Sequence, residues 1–145
     1  MVATRPSEKD VREHFCKKVG RQCVDMQLKL KKFGLQHKFD CVSVSRSDGP
    51  FDEKLIAEIN SATLAPDLGD KDRRRKDLNG FCNTKMVRII EDLFYLSFFS
   101  AKEKYLILKD QNIYDEIKRR FEVFAKKKRI KIIHVPMGLR KKYAS

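Results

Sequence analysis

Val11, Phe15, Val19, Cys23, Met26, Leu30 and Phe33 recur at spacings of three or four, a single apolar stripe that predicts a helix from about Ser7 to Phe33. Ser7 is placed to cap it, with Glu8 and Asp10 in the first turn where the helix dipole favours carboxylates, and Gly34 is a natural stop. Gly20 leaves open whether the segment is one helix or two. From Leu35 to Ser45 the period becomes two, with Phe39, Cys41 and Ser43 facing one way and Asp40, Val42 and Val44 the other. Ser47-Asp48-Gly49-Pro50 reads as a turn, and Lys54 to Asn60 as a returning strand, so apolar that it belongs in the middle of a sheet.

Pro66 and Gly69 break the pattern between Ala62 and Asp72. Leu78, Cys82, Met86, Ile89, Ile90, Leu93 and Leu96 then predict a helix from Arg73 to Phe99, and Lys104 to Lys109 a short buried strand. Asp110 or Gln111 opens a helix whose Ile113, Ile117, Phe121 and Phe124 form one face, closed by Lys126-Lys127-Lys128-Arg129. Ile130 to Val135 is the last strand before Pro136. The order α–β–β–α–β–α–β predicts an α/β fold, a mixed central sheet of about four strands with helices on both faces. One domain is expected over 1–145, with 1–6 and 137–145 as flexible or basic termini.

Charge changes the picture. The 145 residues hold 33 Lys+Arg against 20 Asp+Glu, a net +13, while a 41% apolar fraction and ten Phe argue for a folded chain. Eleven of the basic residues lie between Ile117 and Ser145, where Glu122 is the single acid. Lys71 to Lys76 adds a second cluster, containing Arg73, Arg74, Arg75 and Lys76. Such crowding repels itself unless a polyanion neutralises it, so a nucleic acid is the expected partner, DNA ahead of RNA. Arg73, Arg74, Arg75, Lys76, Lys126, Lys127, Lys128, Arg129, Arg140, Lys141 and Lys142 are the expected phosphate contacts. No apolar run approaches a membrane span and the N-terminus has no apolar signal core, so no membrane partner is expected. The four scattered cysteines suit reduced thiols in an intracellular protein, of the cytoplasm or nucleus.

Two acids stand inside strand patterns, Asp40 in Lys38-Phe39-Asp40-Cys41-Val42 and Glu58 in Leu55-Ile56-Ala57-Glu58-Ile59. A carboxylate among apolar neighbours is costly unless it is used. Two of them converging from paired antiparallel strands can hold a hard cation such as Mg2+ or Mn2+. The competing reading makes them edge residues or ion-pair partners of Lys38 and Lys54.

Asp40, a turn, and then Leu55-Ile56-Ala57-Glu58-Ile59-Asn60 resemble the PD-(D/E)xK nuclease superfamily, the restriction-endonuclease-like fold, and the element order from about Ser7 to Pro136 is similar. The resemblance implies metal-dependent endonucleolytic hydrolysis of DNA phosphodiesters. Asp40 and Glu58 would be metal ligands, and the Ile59 carbonyl would complete the site. The family usually has Lys two residues after the Glu; here that position is Asn60, which can hydrogen-bond a water but carries no charge. Lys76 and Lys85 are the expected substitutes, in that order, and Glu13 is a candidate third carboxylate alongside an ordinary surface role. Cutting two strands suits a homodimer or a partner subunit. The alternatives are a non-catalytic nucleic-acid-binding subunit on the same fold, and an RNA- or ribosome-associated basic protein. Cys16 and Cys23 share a helix face with apolar residues, so core packing is preferred to a zinc site there, and His37 and His134 read as structural.

Overall fold

Gly20 ends the first helix, with a φ of 68° that residues with a Cβ seldom adopt. α1 spans Glu8–Val19, and at Cys23 the chain enters a strand, β1 (Cys23–Leu30). The single stripe to Phe33 is therefore corrected. Val24, Met26, Leu28 and Leu30 alternate with exposed Asp25, Gln27 and Lys29, and a period of two buries more of them against a neighbouring strand than a helix could. Lys31–Phe33 is a single 3-10 turn, closed by Gly34 at φ 63°.

The computed structural model describes residues 8–46, 49–60 and 85–135. After β1 come β2 (Leu35–Val44), β3 (Phe51–Asn60), α2 (Met86–Phe98), β4 (Glu103–Leu108), α3 (Gln111–Lys127) and β5 (Ile130–His134). Ser47 and Asp48 of the expected turn, the expected loop of 62–72, and the first part of the expected helix from Arg73 lie outside the described residues. The fold is α/β, as the pattern predicts, with five strands in the order β1-β2-β3-β4-β5. β1, β2 and β3 run antiparallel, whereas β3, β4 and β5 are parallel. The fifth strand is β1, hidden by the helical spacing of Cys23, Met26 and Leu30.

Helices cover both faces. Val11, Phe15 and Cys16 of α1 pack on Cys41, Leu55, Ala57, Ile59, Tyr105 and Ile107. Ile89, Leu93 and Leu96 of α2, with Ile113 and Ile117 of α3, pack on Phe39, Val42, Ile56, Leu106 and Leu108. Each fully buried Ile or Leu contributes about 1.5–3 kcal/mol of transfer free energy. Asp110 caps α3 by accepting the Ile113 amide at 3.0 Å. Among the described residues, no helix is long and apolar enough to cross a membrane.

One irregularity positions the site. Pairing of β1 with β2 jumps from Val24↔Val42 to Met26↔Phe39, two residues against three, which is a bulge in β2. Phe39 and Val42 thus enter the same core and Cys41 the opposite one. The simple alternation expected for 39–44 fails here, and Asp40 stands at the kink.

Candidate active site

β2 and β3 bring the two strand acids together. Cys41 pairs with Ala57, so the next step along the antiparallel ladder sets Asp40 opposite Glu58. The Asp40 amide donates to Glu58 Oε1 at 3.3 Å, and the Ile59 amide donates to Asp40 Oδ2 at 2.8 Å. Side chains have replaced the ladder bonds here. In an extended strand a residue's N–H and C=O leave on the same side, so the Ile59 carbonyl also points toward β2.

α2 supplies a third carboxyl. Glu58 hydrogen-bonds Asp92, which also accepts from Asn60 Nδ2 at 3.4 Å. Glu8 at the start of α1 hydrogen-bonds the Asp40 carboxyl, and Arg12 Nη1 donates to the Asp40 carbonyl at 3.2 Å. His37 Nε2 lies 3.3 Å from Glu58 Oε2, shut from solvent and out of hydrogen-bond alignment. Its ring stacks on Tyr95, with centroids 3.8 Å apart and planes 7° from parallel.

Burial sets the electrostatics. Glu58 is only 4% exposed. Burial first, and then the bond to Asp92, push its carboxyl up to about 10. Burial and the Glu8 contact raise Asp40 to about 7. Asp92 is also raised, because burial outweighs the bonds it accepts from Glu58 and Asn60. Burial lowers the His37 imidazole and keeps it neutral. Among the described residues, no Lys or Arg forms an ion pair with Asp40, Glu58 or Asp92. The cluster must hold protons or take in a cation.

All of its donors are hard oxygens, the set that Mg2+ and Mn2+ prefer. They are not closed into a cage. Among the described residues, the group of three metal-capable side chains whose ligand atoms all lie within 4.8 Å of one another is Cys16, Cys23 and Cys41. A hard ion among the carboxylates would bind two at a time, with waters filling its shell, as Mg2+ commonly does.

The other expected residues are dispersed. Asn60, 8% exposed, is engaged with Asp92. Lys85 directly precedes α2, seven residues before Asp92, hence on the same side of the helix but about 10 Å away along its axis. Glu13 is exposed and lies 4.0 Å from Lys9; Glu8, one and a half turns earlier, is the α1 carboxylate that meets Asp40. Lys126, Lys127, Lys128 and Arg129 close α3 just before Ile130, which pairs with Lys104 and through it with Ile56. That sets the run at the other end of the parallel strands, more than about 10 Å from Glu58. Lys76, Arg73, Arg74, Arg75, Arg140, Lys141 and Lys142 lie outside the described residues.

Sequence reasoning missed Asp92, Glu8 and His37. Asp92 had a signal, since it falls between Ile89 and Leu96 on the stripe that α2 buries.

A second cluster lies on the α1 face. Cys16 Sγ and Cys41 Sγ are 3.5 Å apart, and Cys23 completes the trio. Hydrogen bonding splits the thiols: the bond with Cys23 pushes Cys16 up to about 12, and the bond with Cys16 draws Cys23 down to about 4. Cys16 and Cys41 belong to the buried core of this face, and Cys23, half-buried, packs against its edge.

No protein-family model, curated protein or solved structure matches this chain.

Proposed function

We propose that the chain is a divalent-metal-dependent endonuclease that hydrolyses DNA phosphodiester bonds. The observation that carries this reading is the meeting of Asp40 and Glu58 across β2 and β3, next to Asp92 and with no Lys or Arg ion-paired to them among the described residues. It agrees with the PD-(D/E)xK resemblance, in which these same two positions bind the metal. Asp40, Glu58 and the Ile59 carbonyl would hold Mg2+ or Mn2+. Held by these residues, such an ion would supply polarisation of a phosphate oxygen and a water of lowered pKa.

The chain's own groups have distinct roles in this proposal. Asp40 and Glu58, both raised by burial, would bind an ion as carboxylates and give up their protons to do so. Asn60 keeps Asp92 oriented through its amide. His37 holds a neutral imidazole beside Glu58 and can accept a proton, which Asn60 cannot do. Arg73, Arg74, Arg75, Lys76, Arg140, Lys141 and Lys142 grip phosphates and give affinity without sequence readout. Two such sites, in a homodimer or with a partner subunit, would cut a duplex.

Nicking of supercoiled plasmid in Mg2+ or Mn2+ tests the proposal: wild type converts plasmid and Glu58→Ala does not. Equal cutting by the variant overturns it. One observation favours a second reading, a nucleic-acid-binding subunit without catalysis. Asn60 stands in the family's Lys position and is tied to Asp92. That reading predicts salt-steep, metal-indifferent DNA binding and no cleavage.

A further inference from the structure

Three neighbouring elements, α1, β1 and β2, deliver the sulfur cluster. Cys16 lies on the buried side of α1, Cys23 opens β1, and Cys41 follows Asp40 at the bulge of β2. Cys41 is fully buried and Cys16 nearly so. Cys16 and Cys23 also line a cleft of about 660 Å3, together with Arg12, Glu13, His14 and Gln22. The three sulfurs lie within 4.8 Å of one another, with 3.5 Å between Cys16 and Cys41.

We propose that Cys16, Cys23 and Cys41 form a site for one thiophilic cation of the Zn2+ class, with its fourth coordination position open to this cleft. A tetrahedral ion with Zn–S bonds of about 2.3 Å spaces its sulfurs about 3.8 Å apart, so the observed trio needs only small side-chain shifts. A disulfide uses two sulfurs at about 2.05 Å and leaves the third unexplained. Cys23 packs at the edge of this core, where its sulfur both completes the trio and lines the cleft. All three sulfurs bind as thiolates, and the protons held by Cys16 and Cys41 leave to solvent. The bound ion ties α1 to two strands of the sheet and, being held by soft sulfur, is distinct from a hard ion among the carboxylates.

Cobalt substitution of the fully reduced full-length chain tests the site. One equivalent of Co2+ gives thiolate-to-cobalt charge-transfer absorption with the intense visible bands of tetrahedral cobalt, and Zn2+ bleaches both. Cys23→Ser loses the charge-transfer band with its circular dichroism unchanged, whereas Glu58→Gln keeps it. A wild type without the band, or Cys23→Ser with the band intact, overturns the proposal. If Cys23→Ser does not fold, alkylation of wild-type Cys23 followed by mass spectrometry reads the same site: one equivalent of Zn2+ slows it at least about tenfold, and an unchanged rate overturns the proposal.

Discussion

Asp40 and Glu58 are bound to each other through the backbone, since the Asp40 amide donates to Glu58 Oε1 at 3.3 Å and Asp40 Oδ2 takes the next amide of Glu58's own strand, that of Ile59. Each carboxylate is thereby held by the strand that bears the other. Glu58→Gln keeps an acceptor for the Asp40 amide and removes the buried acid. Its fold is expected to be at least as stable as wild type at pH 8, with plasmid cleavage down at least about 100-fold, near 2.7 kcal/mol in the barrier. Parallel unfolding and nicking assays check both halves, and a variant that loses stability and activity together contradicts the separation.

The raised carboxyls fix the direction of a pH dependence. Folding lifts Asp40 to about 7 and Glu58 to about 10, so the folded chain retains protons that the unfolded chain has given up. Stability of the metal-free protein therefore falls as pH rises from about 4 through 7, and Glu58 extends the decline upward. Urea midpoints at pH 5, 6.5 and 8 in chelator should decrease in that order, and Glu58→Gln should flatten the slope. Mg2+ displaces the same protons, so its stabilising effect should grow with pH.

His37 combines a stacking surface with an unbonded ring nitrogen. His37→Phe keeps a ring against Tyr95 and removes Nε2. Thermal midpoints should move little while cleavage falls about 100-fold, the usual scale for losing a proton acceptor. Wild-type rates in His37→Phe would leave this residue the structural role expected from the sequence.

The basic runs can be tested one at a time. Lys126, Lys127 and Lys128 close α3 at the sheet end away from Glu58. Replacing all three by Ala should change cleavage less than about threefold at moderate salt, whereas neutralising Arg73, Arg74 and Arg75 should weaken DNA binding and lower the slope of log affinity against log salt by about 2–3. Fluorescence titrations at several salt concentrations decide this.

The fold was legible wherever one period dominated a segment. Ile113, Ile117 and Phe121 gave α3, Ile130 to His134 gave β5, and the apolar run around Ile56 gave a central strand. β1 was not legible, because Met26 and Leu30 suit a helix as well as a strand and only tertiary pairing with β2 decides between them. The bulge was hidden for the same reason, and it reverses the expected faces of residues 39–44. Of the acidic site, Asp40 and Glu58 could be read because carboxylates interrupt apolar strands. Glu8 looked like an ordinary first-turn acid, and Cys41 joined Cys16 and Cys23 only through long-range pairing.

The central claim is that Asp40 and Glu58 share a hard divalent cation. Calorimetric titration of the chelator-treated chain with Mn2+ measures it directly, run in two buffers of different ionisation enthalpy to count released protons. The account predicts at least one Mn2+ bound per chain with net proton release at pH 7, and both signals lost in an Asp40→Asn, Glu58→Gln double variant that remains folded. Mn2+ binding with the same affinity and proton count in that variant, or no binding by wild type, contradicts it.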